Sequence, residues 1–141
     1  MSRTTGRTED CNRPQAAVRL THARAFLEVA DLVSDVDDEL ANDNVAAALA
    51  VLAGIAAADA ACCVTLGQRS RGQDHRQAIQ LVSQVGRDGQ RLGRALKRLL
   101  DIKDGAHYGA VYVGAKEAKE ALRSARTLLD EAERLFQATN G

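Results

Sequence analysis

One stretch constrains the fold of this chain more than any other: "NVAAALAVLAGIAAADAACCVTL", residues 44–66, in which Asp59 is the only charge. A helix that is apolar on every side must be enclosed, either by the core of a protein or by lipid. The length would allow a membrane crossing. Alanine gains little from lipid, however, and a carboxylate near the centre costs about 2.5–3.5 kcal/mol on insertion. The rest of the chain offers several amphipathic stripes that need a common partner. The stretch is therefore expected to be the central helix of a bundle, with no membrane contact. Its small residues Ala47, Ala50, Gly54, Ala57, Ala58 and Ala61 would let neighbouring backbones come close.

The chain has 141 residues, enough for one domain with a single core. It contains one proline and four aromatic residues, and its alanine and leucine favour helix over sheet. Leu20, Ala23, Leu27, Ala30, Val33, Val36 and Leu40 form one stripe, which predicts a first helix from about residue 15 to 40. Asp35, Asp37, Asp38 and Glu39 crowd its end and oppose the helix dipole there. A short third helix starts near Asp74 with Ala78, Leu81, Val82 and Val85 inward, and "GRDG" breaks it. The fourth runs from about 90 to 103 on Leu92, Leu96 and Leu99. A loop from 104 to 114 then precedes a regular last helix with Ala118, Ala121, Leu122, Ala125, Leu128, Leu129, Ala132, Leu135 and Phe136 on one face. The expected fold is all-α, an antiparallel four- to five-helix up-and-down bundle over residues 15–138. Residues 1–14 are expected to be a disordered polar tail.

The cysteines are Cys11, Cys62 and Cys63. An odd count with an adjacent pair does not suggest a disulfide framework, which favours a cytoplasmic location. No metal-ligand spacing is present, so neither a metal nor another cofactor is expected. The net charge is zero but unevenly spread: five basic and ten acidic residues precede Gly67, and nine basic and three acidic residues lie from Gly67 to Lys103. That asymmetry fits either an anionic partner or pairing between copies.

The Ala-rich second helix, the segments "LGQRSRGQDHRQAIQLV" and "LKRLLDIKDGAHYG", and the polar loop before the last helix resemble the HEPN superfamily of small helical bundles from prokaryotic defence and toxin–antitoxin systems. The resemblance covers about residues 16–136. Active members are metal-independent ribonucleases with an Arg-x₄₋₆-His motif near the last helix, and two subunits usually form the cleft. The residue types suit RNA cleavage: a histidine moves protons and an arginine stabilises charge on the phosphate.

This chain departs from the motif. Lys103 and Asp104 stand where Arg-Asn is expected, and His107 follows Lys103 after three residues. Lysine lacks the guanidinium fork. Arg69 and His75 have the right spacing but lie before the third helix. The resemblance thus implies a degenerate nuclease motif in a binding or regulatory module, with RNA or a nucleotide as ligand, a homodimeric state, and a cognate protein as a further possible partner. Arg69, Arg71, His75, Arg76, Lys103 and Tyr108 are the candidate ligand contacts. The rival reading is an active endoribonuclease that draws on His107, Lys103, His75 and Arg69; a third is a purely structural dimerisation or protein-interaction domain. Asp59 should be a buried polar anchor paired with Arg69, His75, Arg98, Lys103 or His107.

Overall fold

The computed structural model describes residues 8–35, 43–71, 74–108 and 113–139, with side chains for all of these except Asp35 and residues 105–108. Among the described residues there are five helices: α1 (Arg13–Asp35), α2 (Asp43–Leu66), α3 (His75–Val82), α4 (Gly89–Tyr108) and α5 (Ala115–Ala138). Two three-residue strands, β1 (Thr8–Asp10) and β2 (Gln68–Ser70), pair antiparallel with Glu9 opposite Arg69. The fold is all-α apart from this ribbon.

The alanines of α2 set the arrangement. Ala46, Ala47, Ala50, Ala53, Ala56, Ala57, Ala60 and Ala61 are all buried, and α2 touches α1, α4 and α5. Among the described residues it is also the one helix long and apolar enough to cross a membrane; 67% of its most apolar window is buried inside the bundle. At Gly54 the approach is closest: a Cβ built there would lie 2.2 Å from Leu99 Cδ1 and 3.3 Å from Leu128 Cδ1. Leu20, Leu27, Leu92, Leu96, Leu99 and Leu128 fill the remaining space and are almost fully buried.

Polar rungs fix the helix directions. Arg13 donates to the Phe136 carbonyl and to Thr139 Oγ1, Arg24 pairs with Glu133, and Arg126 pairs with Asp31. The order of these contacts makes α1 and α5 antiparallel. Arg91, at the start of α4, lies 4.0 Å from Glu131 near the end of α5, which makes that pair antiparallel too. Asn44 Oδ1 accepts from the backbone N–H of Val113 at 2.9 Å and ties the lead-in of α5 to the start of α2.

The structure corrects several expectations. Residues 8–14 are not a loose tail. Gly67, at φ +70°, turns the chain out of α2 into β2, β1 pairs with that strand, and Cys11 N–H donates to the Gly67 carbonyl. Cys11 and Cys63 form a disulfide with Cα atoms 5.4 Å apart, against the reading that the cysteines stay reduced. The adjacent pair is divided: Cys63 meets Cys11, and Cys62, about 100° further round the helix, remains a buried free thiol. Helix α4 also continues five residues past Lys103, so Asp104, His107 and Tyr108 belong to a helix and not to a loop. Gly105 costs only about 1 kcal/mol in a helix, too little to stop one that is already packed. Helix α1 is described to Asp35, and Val36 to Leu40 lie outside the described residues.

Two outcomes follow from this packing. Gly54→Ala should lower stability by about 1–2 kcal/mol in urea melts, because overpacking against Leu99 outweighs the helix propensity gained. Reduction of the disulfide, or Cys11→Ser, should lower stability by about 2–4 kcal/mol, since the bond closes a segment with a sequence separation of 52. The two thermal melts, with and without a dithiol reductant, should coincide for Cys11→Ser and differ for the natural chain.

Candidate functional site

Asp59 faces out of α2 towards the strand ribbon and is met by two arginines. Arg19 of α1 donates through Nε at 3.2 Å and Nη2 at 3.0 Å to Asp59 Oδ2. Arg69 Nη1 lies 3.6 Å from the same oxygen, and its other terminal nitrogen pairs with Glu9. The Asp59 side chain is 13% exposed. Burial raises its pKa above the ordinary carboxylate value, and this exceeds the lowering by Arg19 and Arg69. Cys62, one turn on, has its thiol pushed up to about 12 by burial and then by the charge of Asp59. It is therefore a protonated, inert thiol at neutral pH.

Beside this cluster is a cavity of about 220 Å³. Three parts of the chain build its polar wall: Asp59 from α2, Ser70, Arg71, Asp74 and His75 between the end of β2 and the start of α3, and Lys103 from α4. Its floor is apolar, with Ile55, Ala58, Ala78, Leu81, Leu96 and Leu100. Asp74 caps α3 by accepting from the Gln77 N–H, which turns the first residues of that helix towards the cavity. His75 Nδ1 stands 3.7 Å from Asp104 Oδ1, beyond a direct hydrogen bond. Ser70 Oγ is buried without a hydrogen-bond partner among the described residues. Arg71 and Lys103 line the cavity and have no ion pair among the described residues.

The structure thus brings together Arg71, His75 and Lys103, with Asp59 behind them. It leaves Arg69 out of the cavity, held by Asp59 and Glu9. Arg76 is exposed on α3 and does not line the cavity. The side chains of His107 and Tyr108 lie outside the described residues. Of the partners expected for Asp59, Arg69 is present; His75, Arg98 and Lys103 are not. Arg19 was missed, because nothing local marks one arginine in the amphipathic first helix as a partner for a residue forty positions away. Ser70 and Glu9 were missed for the same reason, as both depend on the strand pairing.

The cavity holds no group of three or more His, Cys, Asp or Glu side chains arranged for a metal among the described residues. Comparison with known protein families, curated proteins and solved structures gives no match.

The Asp59 cluster has a measurable pH signature. A carboxyl whose pKa is raised by folding stabilises the folded state most at low pH, and that contribution is lost as pH rises through the folded value. The stability of the natural chain relative to Asp59→Asn should therefore grow as pH falls, and level off below the unfolded value of about 3.9. At neutral pH Asp59→Ala should cost about 1–3 kcal/mol, less than for a fully enclosed pair, because Arg19 and Arg69 are 26% and 35% exposed. Urea melts from acidic to neutral pH measure both.

Proposed function

We propose that this chain is a HEPN-like binding module, not a nuclease, and that its cavity takes the phosphate end of a nucleotide or of an RNA strand. The observation that carries this reading is the meeting of Arg71, His75 and Lys103, from separate elements, at the polar wall of one apolar-floored cavity. Two cations without carboxylate partners and a Ser70 hydroxyl without a hydrogen-bond partner, among the described residues, suit an anionic oxygen cluster. The apolar floor suits a sugar or base edge. At about 220 Å³ the cavity is below the ~300–1,000 Å³ of sites that enclose a drug-sized ligand. It fits one nucleotide unit at most, with further phosphates along the basic rim.

Cleavage of RNA is disfavoured by the fate of Arg69. Its charge is already shared by Glu9 and Asp59, so it is not free to stabilise a phosphorane. His75 is left beside Asp104, without the guanidinium of Arg69 that has the motif spacing.

Filter binding of a mononucleotide and of a short single-stranded RNA across a salt series tests the proposal. With two or three phosphate contacts, log affinity should fall against log salt with a slope of about −1.5 to −2. Arg71→Ala and Lys103→Ala should each weaken binding about tenfold and make the slope shallower. A flat salt response, or no loss in either variant, would reject a phosphate-reading cavity. RNA cleavage in EDTA that disappears in His75→Ala would replace the binding role with the ribonuclease.

A further inference from the structure

The bond between Cys11 and Cys63 secures a flap, while the bundle beside it is anchored by other means. Helix α1 has its own start: the Asn12 N–H donates to Gln15 Oε1 at 2.9 Å, and the Gln15 N–H donates to Asn12 Oδ1 at 3.0 Å. This reciprocal cap closes the helix one residue after Cys11. Arg13 pins the same turn to the far end of α5, donating to the Phe136 carbonyl with its Cζ 3.7 Å from the centre of the Phe136 ring. These contacts do not involve the disulfide. Ahead of them, residues 8–11 rest on β2 through the strand pairing, the Cys11 N–H bond to Gly67 and the Glu9–Arg69 pair. Two three-residue strands and one partly exposed ion pair hold little by themselves. The covalent link keeps them in place.

The two sulfurs differ in access. Cys63 is buried in α2, whereas Cys11 is half-buried at the edge of the ribbon. A reductant from solvent therefore meets Cys11 first. Cys62 does not compete for the bond, because it is a buried, protonated thiol and only a thiolate attacks a disulfide. Glu9 connects the flap to the cavity. The charge of Arg69 is divided between Glu9 and Asp59, whose Oδ2 is 3.6 Å away, and Asp59 lines the cavity. While Glu9 is held, Asp59 receives only part of that charge, and its carboxylate opposes an anion at the same wall. Once Glu9 leaves, Arg69 turns wholly to Asp59, and this side of the cavity gains one net positive charge.

We propose that the Cys11–Cys63 disulfide is a redox latch on the cavity: reduction releases β1 together with Glu9, and the cavity then holds an anionic ligand more tightly. The step is a thiol–disulfide exchange with an external dithiol. One thiolate of the dithiol attacks Cys11 Sγ, the bond to Cys63 breaks, and Cys63 leaves as a thiolate that takes up a proton. The second thiol of the reductant then closes on the first and releases Cys11 as a thiol. Two electrons and two protons pass to the protein, and the dithiol becomes a disulfide. Oxidation by a disulfide of the same class runs the step backwards and returns Glu9 to Arg69. The gain in ligand affinity rests on the phosphate reading of the cavity; the release of the flap does not.

Two measurements on the full chain, each with and without a dithiol reductant, separate these parts. In backbone ¹⁵N relaxation, reduction should take residues 8–11 from order parameters of about 0.85 to below about 0.6, while residues 13–35 keep their values. In equilibrium binding of adenosine monophosphate, reduction should raise affinity about three- to tenfold, the effect of one added charge at close range in a partly solvated site. Cys11→Ser should bind at the reduced level whether or not the dithiol is present. Glu9→Gln should bind near that level while still oxidised, and should lose most of the redox difference. Residues 8–11 that stay ordered in the reduced chain would overturn the proposal, whatever the cavity binds. So would equal affinity in the two redox states, or a redox difference that survives intact in Glu9→Gln. Absence of binding in both states would sink the phosphate reading instead, and a flap that still comes free on reduction would sustain the latch.

Discussion

The alanine surface of α2 is the constraint on which everything else depends. A helix made of large side chains would hold its neighbours about 10 Å away and could be shared by fewer of them. With alanine on most sides and Gly54 under Leu99, α2 contacts three long helices at once. The core is then completed by leucines from α1, α4 and α5, which reach over the alanines. The scarcity of aromatic residues follows, because no space remains that needs one.

A central helix so closely packed can carry a charge only where its neighbours open. Asp59 occupies that place. On one side Arg19 reaches it from α1; on another the chain leaves α2 at Gly67 and returns as β2, which carries Arg69. The ribbon itself is too short to be stable alone. It is held at three points: the Cys11–Cys63 disulfide, the Cys11 N–H to Gly67 carbonyl bond, and the Glu9–Arg69 pair. The pair that neutralises Arg69 is thus a consequence of the covalent link that secures β1. Arg71, two residues on, lies beyond the ribbon and keeps its charge for the cavity.

The helices were legible because their signals are local and periodic. The buried stripes of α1, α4 and α5 follow the three- and four-residue spacing of Leu20, Leu27, Leu92, Leu96, Leu99, Leu128 and Leu129. The ribbon was not legible: "TED" and "QRS" carry no strand propensity, and their pairing is imposed by a bond between distant cysteines. The extension of α4 was hidden by Asp104 and Gly105, which read as a helix stop but are weaker than the packing that precedes them. The meeting of Asp59, Ser70, Arg71, His75 and Lys103 around one cavity was posed by the sequence as a question. Proximity of that kind depends on the angle at which α3 leaves the ribbon, and no periodicity encodes it.

Lys103 and Ile55 stand between the cavity and an open apolar groove beside Ala48 and Leu52, and line both. This shared wall gives the two faces of the molecule a physical route to influence each other. A group that fixed the Lys103 ammonium in the cavity would also fix its stem along the groove, at a cost in rotamer freedom. Lys103 therefore matters less as a stand-in for a nuclease arginine than as the cation that α4 adds to a wall otherwise built from α2, β2 and α3.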